Sequence, residues 1–350
     1  MARHGDGGMK SGSPETDAGV AVVAPSPVLD ITVEPGDEIH LHAGGQGFWV
    51  ARMIARLGVP VTLCCALGGE TGTVLRALVA REHVGLRAVA ADSGNGAYVH
   101  DHRGEADRGV AATAAQPLRR HETDDLFGAA LAQGLDAAVT VLTGTDPASL
   151  VPAAFYRRLA GDLRRNARTV VTDLAGEALD AVLGTGVTLL KVSQDELPAE
   201  VRDGVGQAGP AGWMRQASTR GAGSVVVTRG AEPALALLDG ELVTARFPVT
   251  QAGDSRGAGD SLTAGIAATL ATDGGPRDAL RLGTAAGMLN AARRGLGTGR
   301  RDDIAAVAEQ VEIVPLKPAP GRAVGKPPVR PADVVRAAAT GKRRADQESE

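Results

Sequence analysis

Short apolar runs alternate along the chain with stretches whose apolar residues recur every three or four positions. Val20–Ala24 is a continuous apolar run of the length of a buried strand. Glu38–Leu41 alternates in polarity, as a half-exposed strand does. Gln46–Leu57 sets Val50, Ile54 and Leu57 on one helical face. The same reading predicts strands at Val61–Leu67, Ala137–Leu142, Thr169–Thr172, Val187–Leu190 and Ser224–Thr228. It predicts helices at Thr71–His83, Ala153–Leu163 and Gly206–Thr219. Pro233–Val249 reads as a hairpin turning at Asp239-Gly240. Two Ala-rich helices follow, Gly257–Thr272 and Pro276–Arg293.

Strands alternating with helices predict a mostly parallel sheet covered on both faces, an α/β/α sandwich. Two polar segments, Ile31–His42 and Tyr98–Gly109, interrupt the alternation and are expected to pair as a small projecting sheet. The expected organisation is a leader without order over 1–19, one domain over 20–315, and a solvated basic tail over 316–350. That tail carries eight Lys/Arg against four Asp/Glu and too little apolar surface to fold alone. Met1–Thr16 has no apolar run and does not read as a secretory signal.

Composition narrows the choice of partner. Only four Phe, two Trp and two Tyr are present, which argues against an aromatic groove for single-stranded nucleic acid. The net charge of −4 gives no reason to expect a polyanion. No stretch approaches the roughly 18 apolar residues of a membrane span. The adjacent Cys64 and Cys65 exclude a disulfide framework and fit buried thiols of a cytoplasmic protein.

Three places carry candidate chemistry. In Asp254-Ser255-Arg256-Gly257-Ala258-Gly259-Asp260-Ser261, small residues precede a helix, so backbone N–H groups can converge on an anion. Asp260 beside them could take a proton from an attacking hydroxyl; equally, it could cap the helix. At Ala43-Gly44-Gly45-Gln46-Gly47-Phe48-Trp49, glycines at a strand–helix junction allow a ligand close to the backbone. Dinucleotide and Walker-type patterns are missing. Lys191, the one lysine between Ser11 and Leu316, is expected at the C-terminal end of its strand, where ligands bind in open α/β sheets. Glu196 could hold a hydrated Mg²⁺; a surface lysine before an acidic helix start is the other reading. The pairs His40/His42 and His100/His102 share a strand face, as a metal site or as exposed histidines.

In this order the motifs resemble the PfkB/ribokinase family of sugar kinases, most closely its 1-phosphofructokinase and tagatose-6-phosphate kinase branch. Val28–Glu34 is similar to N-P-A-L-D-x-T-V, Gly44–Gly58 to G-G-K-G-x-N-V-A, and Leu67–Gly72 to G-G-D-T-G. Lys191–Leu197 is similar to K-P-N-x-x-E-L, Gly257–Asp260 matches G-A-G-D, and Gly295–Asp303 resembles G-L-G-T-R-E-D. The resemblance spans Val20 to Pro315. It implies a ribokinase-like fold with a β lid (about 31–43 and 97–110) that often makes a homodimer contact. It also implies a kinase using Mg²⁺ and ATP on a sugar or sugar phosphate.

Carried over residue by residue, Asp260 is the implied base and Gly257, Ala258 and Gly259 the anion hole. Lys191, Ser193, Thr228, Arg229, Gly230 and Asn290 are the implied nucleotide side, with Glu196 organising Mg²⁺ through water. Asp30, Gly44, Gly45, Gln46 and Trp49 are the implied acceptor side. The departures lie on that acceptor side. Gln46 replaces a lysine, Trp49 an asparagine, and Asn95-Gly96-Ala97-Tyr98 lacks the arginine of T-R-x-N that meets substrate phosphate. K-P-N has become Lys191-Val192-Ser193. A neutral or weakly charged polyol is therefore expected, unless Arg103 or Arg108 of the lid supplies the missing cation. A ligand-binding paralogue without turnover and a kinase for a nucleoside-like acceptor, with Trp49 as stacking face, are the alternatives.

Overall fold

The structure is a computed structural model that describes residues 19–104, 108–204, 209–247, 256–291 and 297–316. The expected leader and tail, the ends of three predicted elements (206–208, 248–249, 292–293), and Asp254, Ser255, Gly295 and Leu296 of the motifs lie outside them.

The chain opens with β1 (Val20–Val23), β2 (Val28–Glu34) and β3 (Glu38–Gly44), then α1 (Gln46–Arg56), β4 (Val61–Gly68) and α2 (Gly69–Ala80). Next come β5 (Gly85–Ala91), β6 (Ala97–Asp101), β7 (Arg108–Thr113), α3 (Arg120–Asp136) and β8 (Val139–Thr143). The middle holds α4 (Ala153–Arg165), β9 (Thr169–Asp173), α5 (Gly176–Val182), β10 (Leu189–Ser193), α6 (Ala199–Arg202) and α7 (Pro210–Thr219). The chain continues through β11 (Ser224–Arg229), β12 (Glu232–Leu238), β13 (Glu241–Arg246), α8 (Ala258–Ala271) and α9 (Pro276–Ala291). It ends with α10 (Arg301–Ala308) and β14 (Glu312–Pro315).

Ten strands form one sheet in the order β14-β13-β12-β11-β10-β9-β8-β1-β4-β5. From β11 to β5 every pairing is parallel, and β12, β13 and β14 add an antiparallel edge. The predicted hairpin turns at Asp239-Gly240, both with positive φ, as a two-residue hairpin turn requires. Alternate residues of each strand enter two cores. Leu63 and Cys65 enter the core shared with α1, α8 and α9; Cys64 enters the core shared with α3 and α4. Both thiols are buried, and burial raises their pKa, that of Cys64 to about 12.

The small sheet forms as expected, in the order β3-β2-β6-β7. Its strands begin at Val28, three residues before the predicted start, because Leu29 continues the pairing with Ala97. Asn95 anchors this lid to the body. Its buried amide donates to Ser26 Oγ, Pro27 O and Ala66 O, and its Oδ1 accepts from Gly68 N–H.

Helix α8, which carries Asp260, is positioned by close contact with α9. A Cβ on Gly265 would stand 2.6 Å from Gly283 Cα, and one on Gly287 2.7 Å from Ala258 O. Backbone cannot move aside as a side chain end can. Gly265→Ala is therefore expected to destabilise the fold by about 1–3 kcal/mol through overpacking. A urea midpoint equal to the parent's would contradict this account of the α8–α9 contact.

Candidate active site

A cleft of about 540 Å³ opens at the carboxyl ends of β1, β8, β9 and β10, beneath the lid. The chain leaves β1 toward β4 and β5 on one side and returns at β8 on the other. Strand order reverses there, and that is where an open parallel sheet leaves a crevice. Ser26 and Pro27 line it from the first turn, Thr145 and Asp146 from the end of β8, Asp173 from the end of β9, and Glu196 from the turn after β10. The lid contributes Asp30, Tyr98 and His100, and the start of α1 contributes Gly45, Gln46 and Trp49.

Asp260 lies in the first turn of α8 and is buried. It is not the cap of that helix: Gly257, with φ +68°, holds the N-cap position, and no side chain caps it. Gly259, between them, is small for a visible reason. A Cβ on Gly259 would lie 2.9 Å from Lys191 Nζ. Burial raises the Asp260 pKa to about 7, with the Asp173 charge adding to the rise; Lys191 and a hydrogen bond from Gln46 act against it. The Gln46 Oε1 in turn accepts Gly144 N–H at 2.9 Å. One amide thus ties the carboxylate of α8 to the loop after β8.

Lys191 differs from the expectation. β10 runs on to Ser193, so Lys191 is mid-strand, 4 % exposed, rather than at the strand's C-terminal end. Its Nζ donates to Asp173 Oδ1 at 2.9 Å, and Thr263 Oγ1 donates to the other carboxylate oxygen at 2.8 Å. Burial works against the Lys191 charge, but Asp173, Asp260 and Glu196 outweigh it and the pKa is raised. Sequence reasoning misses Asp173 and Thr263. The available signal is an acidic residue directly after the apolar run Thr169–Thr172.

Ser193 and Glu196 close a one-turn 3-10 helix, Gln194–Glu196. Ser193 Oγ accepts from Asp195 N–H, and Glu196 Oε2 accepts from Ser193 N–H at 2.7 Å. Burial raises the Glu196 pKa. Thr228 and Arg229 end β11, Thr228 beside Ser193, and Gly230 follows the strand; like Ser193, Lys191 and Asp260, they are not among the residues lining the cleft. The Arg229 guanidinium folds back onto Pro233 O and Glu232. Asn290 also departs from expectation: fully buried, it donates to Arg256 O and accepts from Gly297 N–H, each at 2.8 Å. Its amide ties two chain segments together.

On the acceptor side, Gly44 gives room to a carboxylate, since a Cβ there would meet Asp30 Oδ2 at 2.6 Å. Asp30 and His100 approach to 3.8 Å. His102 bonds Glu34 at 2.8 Å, and His40 stands 3.5 Å from Glu38, so these lid histidines have carboxylate partners. Arg103 is held at the lid tip by Asp101 and Asp37, and neither it nor Arg108 lines the cleft.

The sequence profile described as "pfkB family carbohydrate kinase" matches residues 21–303. The chain is similar to ATP-dependent 6-phosphofructokinase isozyme 2 of Mycobacterium tuberculosis, 32% identical over 80% of this chain and 86% of that protein. It is similar to 1-phosphofructokinase of Rhodobacter capsulatus, 30% identical over 79% of this chain and 89% of the relative. A solved point mutant of phosphofructokinase-2 from Escherichia coli superposes with a TM-score of 0.73 at 26% identity, covering 83% of this chain and 98% of that one. The sandwich with its small lid is thus ribokinase-like, as the sequence motifs implied. Among the described residues no helix is long and apolar enough to cross a membrane. With the profile spanning most of the chain, the protein belongs to the pfkB family of carbohydrate kinases.

Proposed function

We propose that this kinase transfers the γ-phosphoryl group of Mg·ATP to a hydroxyl of a neutral or weakly charged polyol, with Asp260 as general base. The observation that carries the reading is the Asp260 carboxylate itself. It is buried beside the start of α8, and its pKa of about 7 matches what a base working near neutrality needs. As the acceptor hydroxyl attacks, Asp260 takes its proton. The backbone at Gly257, Ala258 and Gly259, at the positive end of α8, holds the phosphoryl oxygens. Lys191, under Gly259, adds its charge to that site from beneath rather than reaching outward. Lid closure excludes water from the transfer.

The donor set suits Mg²⁺, which keeps most of its waters and takes one or two carboxylates plus substrate phosphates. Glu196 lines the cleft with one oxygen committed to Ser193, and Asp173 stands near it. Glu196 would hold the ion through water, since both Asp173 oxygens are already taken by Lys191 and Thr263; when bound it would neutralise charge on the transferring phosphates. Ser193 and Thr228–Gly230 flank the nucleotide side. Asn290 acts there only by fixing Arg256 and Gly297.

The acceptor side favours a polyol over a phosphosugar. Asp30 and Asp146 line it, Arg256 is the one arginine or lysine among the described lining residues, and a dianion needs charge partners when desolvated. Competitive kinetics with neutral sugars, nucleosides and hexose phosphates test this. A kcat/KM for a hexose phosphate far above all neutral acceptors would refute it. Ile39, Leu41 and Val110 are exposed on the lid, and a homodimer through this sheet would cover them. Two free buried thiols suit a cytoplasmic enzyme.

The base assignment also fixes a pH dependence. A carboxylate with a pKa raised to about 7 is active only when deprotonated, so kcat/KM should climb tenfold per pH unit below that value and level above it. The Gln46 hydrogen bond lowers the Asp260 pKa, so Gln46→Met should move the acid limb upward. A profile flat from about pH 5.5 to 8.5 would be incompatible with Asp260 as the base.

A further inference from the structure

Tyr98 belongs to the lid strand β6 and Asp146 to the body loop after β8. Both line the cleft, and Tyr98 OH donates to Asp146 Oδ2 at 2.8 Å. This contact crosses the mouth of the cleft from lid to body. We propose that Asp146, held in place by Tyr98, sets acceptor specificity, accepting a hydroxyl or ammonium group at the lid end of the cleft and rejecting a phosphate there.

Three observations support this. The first is charge. Other carboxylates of the cleft have basic neighbours: Asp173 has the Lys191 ammonium, and Asp30 has the His100 imidazole at 3.8 Å. The hydrogen-bond partner of Asp146 is a phenol, which brings no positive charge. The hydrogen bond to Asp146 raises the Tyr98 pKa, so the phenol stays a neutral donor. A dianionic group docked against Asp146 meets a full negative charge. A hydroxyl or an ammonium meets an acceptor oxygen instead.

The second is backbone space. Gly96 lies two residues before Tyr98, and a Cβ there would stand 3.2 Å from Thr113 O and 3.3 Å from Ala115 N. The segment entering β6 is thus packed against backbone and offers no ready place for a long cationic side chain. The third is the location of the basic side chains that line the cleft. Arg256 directly precedes the Gly257 turn, and His100 faces Asp30. Arg103, the lid's nearest alternative, is committed to Asp101 and Asp37.

Asp146 is solvent-exposed, so its effect is that of a charge in a high-dielectric medium. A unit charge about 4 Å from a dianion there shifts relative binding by roughly thirtyfold without salt and roughly tenfold at physiological salt.

The proposal rests on the cleft being the acceptor site, so binding and turnover are measured separately. Dissociation constants for fructose, glucosamine, fructose 6-phosphate and fructose 1-phosphate are obtained calorimetrically on the full chain with Mg²⁺ and a non-hydrolysable ATP analogue. ADP release is followed in parallel with ATP. The parent should bind fructose or glucosamine more tightly than either phosphate ester. Asp146→Asn keeps an acceptor for Tyr98 but removes the charge; it should narrow that preference about tenfold, and the narrowing should vanish at high salt. Tyr98→Phe leaves the charge in place and should weaken all acceptors without changing their ratio. A parent that prefers a phosphate ester, a parent that binds none of the four, or a ratio unmoved within threefold by Asp146→Asn overturns the proposal. Absence of ADP release alongside a preserved binding ratio would instead remove the kinase reading and leave the specificity wall standing.

Discussion

Asp260→Asn should lower kcat by about 10²–10⁴ while Mg·ATP binding survives. The side chain is nearly isosteric and its surroundings are set by other residues. Gly257 forms the N-cap without help from Asp260, and Gly265, Gly283 and Gly287 fix α8 against α9. The amide can still meet Gln46, so the fold should hold. What disappears is a group able to accept a proton near pH 7. Stability should even rise on the alkaline side. Burial and Asp173 raise the folded pKa of Asp260 above its ordinary value. Its contribution to stability is therefore present below the unfolded pKa and lost as pH rises through about 7. The neutral amide removes that loss. Activity within threefold of the parent at equal thermal stability would exclude Asp260 as base. A lower melting temperature with unchanged kcat would make it structural.

The parts of the fold legible in the sequence are those whose pattern is local. The five-residue run Val20–Ala24, the face Val50–Ile54–Leu57 and the Asp239-Gly240 turn are each decided within a few residues, and each forms. β5 is not legible. Gly85–Ala91 carries Arg87 and several small residues, and its strand character comes from pairing with β4. β14 likewise exists because Ile313 and Val314 complete the edge beyond β13. Helix α3 is hidden for a different reason: its first turns are charged, and its buried face is built from Glu122, Leu126, Ala130 and Gly134.

At the site, the motif residues Gly257–Asp260 and Gly44–Trp49 are visible because glycine spacing is a local property. Their partners are not. Asp173, Thr263 and Gly144 join the site through the sheet order, which brings chain segments up to 98 residues apart within hydrogen-bond distance. Asn290 is the reverse case. The family resemblance alone places it on the nucleotide side, whereas its buried amide is already satisfied by two backbone partners.

Lys191→Met should be the most destabilising single change at the site, by about 3–5 kcal/mol, because it leaves the Asp173 charge buried without its cation. Asp173 is 1 % exposed and Lys191 4 % exposed. Thr263 can hold only one of the two carboxylate oxygens. Asp260 and Glu196 are near enough to add repulsion, since both raise the Lys191 pKa by their charge. Loss of the lysine should therefore push Asp260 further from ionisation, and the acid limb of activity should move upward together with the loss of stability. Lys191→Arg offers no simple rescue. A planar fork does not replace a compact ammonium in this buried site, so the rescue should be partial. The discriminating variant is Lys191→Met with Asp173→Asn. Removing both charges deletes the unpaired ion, so stability should recover most of the way toward the parent while phosphoryl transfer stays low. Urea midpoints of the single and double variants decide it. A single variant with a midpoint equal to the parent's would mean that Lys191 is not the counter-charge of Asp173. A double variant no more stable than the single one would mean that the lysine acts by filling space under Gly259 rather than by its charge.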